Sequence, residues 1–307
     1  MRFDNYFEPT TLAECSSLLK EYGSASRLLA GGTDLVPRLK NRQLKISTVI
    51  SLQGIPELSR IEKTENSMNI GAMVTLRDVV KSPLLTGSLK VVAEAAGHIS
   101  SMQIRNIATI GGNSCNASPS ADSVPGLLVS DAVALISGAD GDRSVPLIDF
   151  FAGPGKTVLR EGEILTGFSI PRTSPFTGAT YEKYTIRGDT DITIVGAGCR
   201  LNLNKQGVIE SARIALAAVA ATPVRIDAVE KLLAGQKLTD ELVKEAGNLA
   251  AANISPISDQ RATASYRKEM VSVWVRHALV EAQKRAIAAI DKSNEQSSSS
   301  VEWTYYG

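Results

Sequence analysis

The chain has 307 residues, 43% of them hydrophobic, with 33 basic residues set against 32 acidic ones. That is enough chain for two or three domains with real cores, and it is not the composition of a disordered protein. Balanced charge supplies no basic footprint for nucleic acid, and no apolar run reaches the ~20 residues of a membrane-spanning helix. The amino terminus, "MRFDNYFEPTTLAEC", carries Arg2, Asp4, Glu8 and Glu14 and is not a signal peptide. These features suggest a soluble, cytoplasmic protein. Three scattered cysteines (Cys15, Cys115, Cys199) and two histidines (His98, His277) rule out a disulfide framework, a zinc site or a cluster site within this chain. They also supply little for side-chain catalysis, so any redox chemistry here calls for a cofactor.

Elements follow in chain order. "TTLAECSSLLKEYG" predicts a helix capped by Thr10 or Thr11 and stopped by Gly23. "SRLLAG" predicts a buried strand, "LVPRLKNR" a short helix and "STVISLQGI" another strand. "SMNIGAMVTLRDVV" reads as a strand that turns into a helix, and "LKVVAEAAGHIS" as a helix. The first half thus alternates short strands and helices. "SIPRTSPFTG", around Pro171, has the composition of a boundary. Strands follow in "ATYEKYTIR", "DITIVGAGCRLNLN" and "VIESARIALAAV", then helices in "RIDAVEKLLAG", "TDELVKEAGNLAAAN" and the long amphipathic stretch holding Trp274, read as core. "KSNEQSSSS" is low in complexity and reads as a flexible tether, with "VEWTYYG" beyond it as a frayed end or a docking tail.

Two loops share one grammar. In "LLAGGTDLVPRLKN" an apolar run ends at Ala30, and Gly31, Gly32, Thr33 and Asp34 precede a helix bearing Pro37. In "ATIGGNSCNASPSADSVPGLL" the run ends at Ile110, Gly111 and Gly112 follow, and Asp122 precedes Pro125 by three residues. Asp34 (or Thr33) and Asp122 are placed to cap, and the prolines fall in first turns, where a missing N–H costs little. Glycine pairs at helix starts expose backbone N–H donors to an anion, most often phosphate, and two such loops suit a pyrophosphate held from both sides. The plainer alternative is that each glycine pair only turns the chain. "GPGKT" at 153–157 is not a phosphate loop of the nucleotide-hydrolase kind, because Phe150 stands where its first glycine belongs.

With these motifs in place, "LLAGGTDL", "QIRNIATIGGN…SPSAD", "GEILTGFSIP" and "YEKYTIRGDTDITIVGAG" resemble the FAD-binding medium subunits of molybdenum hydroxylases. That group includes xanthine, carbon monoxide and nicotinate dehydrogenases and 4-hydroxybenzoyl-CoA reductase. The resemblance spans nearly the whole chain and implies an α+β protein. Residues 1–175 would form an FAD-binding domain of the vanillyl-alcohol-oxidase type in two α/β subdomains (about 1–57 and 58–175). Residues 176–291 would form an α+β domain of the carbon monoxide dehydrogenase flavoprotein type, and 292–307 a flexible tail.

It further implies that Leu28, Leu29, Ala30, Gly31, Gly32, Thr33, Asp34 and Leu35 form the first pyrophosphate loop. Thr109, Ile110, Gly111, Gly112 and Asn113 form the second, with Ser118 nearby. Asp122 matches the residue that holds a ribose, and Ile99 a side chain flanking the flavin. Ile164 and Leu165 match backbone contacts to the cofactor, and Lys183 a lysine beside it. From the residues alone, Lys183 reads as a strand-surface lysine and Leu165 as a core leucine. No catalytic base and no metal ligand is implied. FAD would be bound non-covalently and pass electrons between a partner's [2Fe–2S] clusters and NAD, quinone, ferredoxin or oxygen, with molybdopterin on a third, large subunit. No cysteine-rich insertion lies between Asn113 and Gly178, so the [4Fe–4S] cluster of the 4-hydroxybenzoyl-CoA reductase subunit has no counterpart. Two rivals remain: a stand-alone flavin oxidase with its own small substrate, and a structural subunit that has lost FAD.

Overall fold

The computed structural model describes residues 3–188 and 190–299, the side chains of 294–299 apart. Strand β1 (Asn5–Phe7) leads into helix α1 (Leu12–Tyr22), β2 (Ser26–Leu29), α2 (Leu35–Lys40) and β3 (Thr48–Ser51). The three strands form a parallel sheet in the order β1-β3-β2. Thr11 caps α1 by accepting from Glu14 N at 3.2 Å, and Glu14 bonds back to Thr10 N at 2.9 Å. Gly23, at φ +46°, ends the helix in a conformation that a side chain would oppose. α1 lies over Ile50, Leu52 and Ile55, which form a small core with Cys15 and Leu58.

The second unit is a five-stranded antiparallel sheet in the order β4-β5-β10-β6-β7. Its strands are β4 (Ile61–Lys63), β5 (Ser67–Gly71), β6 (Val133–Gly138), β7 (Gly141–Pro146) and, after the small hairpin β8 (Phe151–Gly153) and β9 (Lys156–Thr157), β10 (Ile164–Pro171). Between β5 and β6 the chain inserts α3 (Leu76–Lys81), α4 (Lys90–Gly97), α5 (Met102–Arg105), α6 (Ile110–Cys115) and α7 (Ser123–Val129). "GPGKT" is the β8–β9 hairpin, where Gly153 and Gly155 take positive φ. Its glycines serve a turn.

The third unit is the antiparallel sheet β11-β12-β13-β14: β11 (Thr177–Tyr184), β12 (Val195–Leu203), β13 (Ile209–Ala217) and β14 (Val224–Arg225). Helices α8 (Asp227–Leu233), α9 (Asp240–Ala252) and α10 (Ala264–Ser299) accompany it. Period-2 alternation points successive side chains to opposite faces, and in β12 both faces are buried. Ala197, Cys199 and Leu201 of β12 join the core under α10, while Ala179 and Tyr181 of β11 join the core of the second unit. Glycines allow the close approaches. A Cβ at Gly178 would stand 2.0 Å from Ala282 O in α10, and one at Gly198 would stand 3.1 Å from Pro125 O in α7. Trp274 packs against the α10-side core and stacks on Tyr184, with ring centroids 5.5 Å apart. The helix runs on through 292–299, the stretch the composition suggests as a flexible tether; it contains no Gly or Pro to stop it. "VEWTYYG" lies outside the described residues. Among the described residues, no helix is long and apolar enough to cross a membrane.

Just past α7, Asp131 bridges the second and third units. Its carboxylate accepts from Arg200 at 2.5 Å, Arg213 at 2.7 Å and Arg225 at 3.1 Å, all on the third sheet. Burial opposes its ionisation, but Arg200 and Arg213 prevail and hold its pKa below the ordinary carboxylate value. A folded-state pKa below the unfolded one stabilises the protein at pH values above the unfolded pKa, about 3.9, and that stability is lost as pH falls through the folded value. We expect thermal melts to show stability declining below about pH 4. Asp131→Asn should lower Tm at pH 7 and flatten this acid dependence, as a melt series from pH 2.5 to 7 would reveal.

Candidate functional site

The two glycine loops meet. The first leaves β2 and turns into α2. Gly32, at φ +72°, makes that turn, and a Cβ there would crowd Val36 and Leu29 side chains at 3.1 and 3.2 Å. Gly31 is pinned from the other side: a Cβ would stand 1.9 Å from Ile107 O and 2.9 Å from Ala108 Cα, on the backbone entering the second loop. Asn116 Nδ2 closes the contact by donating to Asp34 Oδ1 at 3.1 Å. Among the described residues, the N–H groups of Gly31, Gly32, Thr33 and Asp34 have no protein acceptor. Donors in that state need water or a ligand, and at a tight glycine turn they suit an anion.

The second loop departs from the expected grammar. Ile110 does not end a strand. It is the first residue of α6, so Gly111 and Gly112 lie in a helical first turn capped by Thr109, whose Oγ1 accepts from Gly112 N at 3.0 Å. Gly111 N is also engaged, by Ala72 O at 2.9 Å. These two glycines therefore present little free donor capacity. Their role is close approach: a Cβ at Gly111 would lie 2.5 Å from Ala72 Cβ, and one at Gly112 would lie 2.8 Å from Thr109 Oγ1 and 3.7 Å from Ala30 Cβ. Ala72 in turn donates to Thr166 O at 2.9 Å, so the start of β10 supports the loop. Ile164 and Leu165 are there with their side chains in the cores, leaving only backbone to reach a ligand.

Neither aspartate caps with its side chain. Asp34 turns to Asn116, and burial raises its pKa despite the nearby Arg38. Asp122, 7% exposed, looks across to the third unit. It accepts from Tyr181 Oη at 2.6 Å, Thr193 Oγ1 at 2.5 Å and Lys183 Nζ at 3.1 Å. Lys183 also donates to His98 O at 2.8 Å, next to Ile99, whose carbonyl accepts from Arg105 at 2.9 Å. With its side chain 2% exposed, Lys183 is not a strand-surface lysine. Burial and the Asp122 charge push the Tyr181 pKa well above its ordinary value, so the phenol stays a donor. Asn113 joins the second loop to α7 by accepting from Ser123 Oγ at 2.6 Å.

Leu28–Leu35, Thr109–Asn113, Asp122, Ile99 and Lys183 thus form one connected region. Ser118 is less engaged; its hydroxyl meets Ser120 at 3.1 Å within its own turn. Sequence reasoning missed Asn116, Tyr181 and Thr193. Tyr181 carried a signal, since it shares a strand face with Lys183 two residues on. Thr193 carried none.

Comparison with known proteins sets this geometry in context. The family described as "FAD binding domain in molybdopterin dehydrogenase" matches residues 1–173, and "CO dehydrogenase flavoprotein C-terminal domain" matches residues 179–282. The chain belongs to this family of FAD-binding molybdopterin dehydrogenase subunits. It is 34% identical over 285 residues to the carbon monoxide dehydrogenase medium chain of Hydrogenophaga pseudoflava, covering 92% of this chain and 98% of that one. A putative xanthine dehydrogenase FAD-binding subunit of Escherichia coli is 32% identical over 284 residues, 91% of this chain and 96% of its own length. Among solved structures, Hydrogenophaga pseudoflava carbon monoxide dehydrogenase superposes with a TM-score of 0.89 at 34% identity, over 93% of this chain and 98% of that one. Quinoline 2-oxidoreductase of Pseudomonas putida 86 gives 0.86 at 27%, covering 93% and 99%. As a member of this family the chain is an FAD-dependent oxidoreductase subunit, with the α+β fold that the motifs imply.

The Asp122 node separates structural from binding roles within that family member. Asp122→Asn keeps the shape but removes the charge beside a buried ammonium, a change costing about 3–5 kcal/mol. We expect a clear drop in Tm and a smaller loss of FAD affinity. Differential scanning fluorimetry paired with flavin titration would separate the two effects.

Proposed function

We propose that this chain holds FAD between its two glycine loops and relays electrons between [2Fe–2S] clusters of a small partner subunit and an external acceptor, such as NAD, quinone, ferredoxin or oxygen. A large molybdenum subunit completes the complex, which acts in the cytoplasm. The observation that carries this reading is the joining of the loops, Gly31 against Ile107–Ala108 and Asn116 to Asp34, with the unused N–H groups of Gly31 to Asp34 at the junction. The relatives named as medium chain and FAD-binding subunit support the subunit role.

The residues present fit the cofactor. Gly31, Gly32, Thr33 and Asp34 provide backbone donors for a phosphate. Thr109, Gly111 and Gly112 pack the second loop closely on Ala72 and Ala30, which brings it up against the first loop as the facing wall. Asp122 spends Oδ1 on two hydroxyls and Oδ2 on one ammonium. A carboxylate oxygen has two lone pairs, so Oδ2 retains one acceptor position for a ribose hydroxyl. Ser118 contributes from the neighbouring turn, Ile99 flanks the ring system, and the backbone of Ile164 and Leu165 lines the far side. Lys183 steadies the ensemble through His98 O. When bound, FAD supplies one- and two-electron exchange; this chain's part is to bind it, orient it and exclude water.

Attachment is non-covalent. Desolvation pushes the Cys115 thiol, the one nearest the second loop in sequence, up to about 12, which disfavours the thiolate that a covalent bond to flavin would need. Cys15 and Cys199 lie in α1 and β12, far from Cys115 in sequence and both buried, an arrangement that suits clusters held on another chain. Met102, Ile107, Ile186 and Ile192 are exposed and apolar on segments that adjoin the site, and they suit a docking surface for the cluster-bearing subunit.

Gly32→Val forces a β-branched residue to positive φ, and Gly112→Val drives a side chain against Thr109 Oγ1, the cap of α6. We expect each to reduce flavin occupancy by tenfold or more while far-ultraviolet circular dichroism stays native. Full occupancy in either variant would end the loop assignment. Acid precipitation should release all flavin to the supernatant. Gentle purification followed by native mass spectrometry and metal analysis should find iron and molybdenum with this chain. A lone chain that is reduced by a small substrate would instead favour the stand-alone oxidase.

A further inference from the structure

A separate cleft of about 720 Å³ opens away from the glycine loops, between the ends of β4, β5 and β10, the turn leading into α4, and α10. Its volume lies in the range of small-molecule pockets, about 300–1,000 Å³, and it sits where two units meet, a common place for such pockets. Lys63, Lys90, Arg172, Arg285 and Lys292 line it, against one lining carboxylate, Glu281.

Arg285 is already committed. It chelates Glu94 at 2.8 Å, meets Glu281 at 2.8 Å and donates to Ala179 O at 2.7 Å. Of the other four cations, Lys90 shares Glu94 with Arg285 in a looser pair, and the remaining three have no carboxylate partner among the described residues. Lys90 lies 3.9 Å from Glu94, Arg172 donates to the carbonyl of Glu65 at 3.0 Å, and Lys63 and Lys292 have no ion pair among the described residues. The cleft is therefore a site of surplus positive charge with a fixed cation at its back.

Its neutral lining is equally one-sided. The turn Gly87–Leu89 runs straight into α4, and neither Thr86 nor Leu89 caps it with a side chain. The N–H groups of Gly87 and Ser88 have no protein acceptor among the described residues. They lie at the positive end of the helix dipole. Ser88 Oγ and Thr173 Oγ1 share a hydrogen bond of 2.7 Å across the cleft wall, which leaves one hydroxyl proton to donate outward. Leu84, Ile170, Pro175 and Ala288 supply apolar wall for an organic body.

We propose that this cleft binds a phosphate-bearing small molecule of nucleotide size, distinct from FAD. Cations from several elements, backbone donors at an uncapped helix start and a hydroxyl pair match the several oxygens of a phosphate or diphosphate. The volume of this open cleft matches a single compact ligand.

The test is isothermal titration calorimetry of the flavin-loaded full chain with pyrophosphate and with ADP, followed by flavin absorbance. Saturable binding at one site is expected, with the flavin retained. Lys63→Glu with Arg172→Glu should weaken it by about tenfold or more. Should the charge reversals disturb folding, Thr173→Val and Arg172→Gln in a chain of native circular dichroism should each weaken it measurably. Gly32→Val, which addresses the glycine loops alone, should leave it intact, so failure of the flavin assignment and failure of this one are read separately. Three results would overturn the proposal: no saturable binding to the wild type, equal binding by the charge-reversed chain, or binding seen only when flavin is absent. Charge reversal that dissociates a partner subunit without any pyrophosphate binding would likewise overturn it, in favour of protein docking.

Discussion

A single carboxylate at the head of α7 carries much of this architecture. Asp122 stands where a helix cap belongs, yet it reaches across to Tyr181, Thr193 and Lys183 on the third unit. Buried charges persist only when paired and hydrogen-bonded, and here the pairing spans two sequence-distant domains. Asp131, at the other end of the same short helix, repeats the device with three arginines. α7 is thus bolted at both ends, and Gly198 lets β12 approach Pro125 O between them.

That arrangement explains why the two matched family regions form one body. The face of β11 bearing Ala179 and Tyr181 is part of the second unit's core, so the third sheet completes that core as well as covering its own. Lys183 lies on the same strand and reaches the His98 carbonyl, next to Ile99. The position of the site's far wall therefore depends on how the third unit docks, and the docking depends on the two aspartates.

Glycine has two distinct uses in the paired loops. Gly32 is required by its backbone conformation. Gly31, Gly111 and Gly112 are required by what stands beside them: another loop's carbonyl, Ala72 and the capping threonine. Identical dipeptides thus do different work, because one pair turns a strand into a helix while the other sits inside a helix's first turn. The donors left over for an anion lie mainly in the first loop, and the second acts as its closely fitted wall.

The sequence by itself determined the elements whose signals are local. Thr11 and Gly23 bound α1, "SRLLAG" and "STVIS" are strands, the stretches after Pro171 read as strands β11 to β13, and the motifs "AGGTDL" and "TIGGN" are enough to name the family. It left the β6–β7 hairpin and β10 unread; β7 is largely polar and exposed, and these strands gain meaning from their pairing with one another. It placed both aspartates as caps, because Asp before a helix usually does cap; only the folded chain brought better donors within reach. The same holds for Lys183, whose strand position suggests solvent, and for Ala108–Ile110, whose apolar run suggests a strand. Capping, turning and alternation are decided within a few residues, so they are written in the chain. Which carboxylate meets which ammonium, and which glycine faces which carbonyl, depends on residues some sixty to eighty positions apart, and only the tertiary structure decides them.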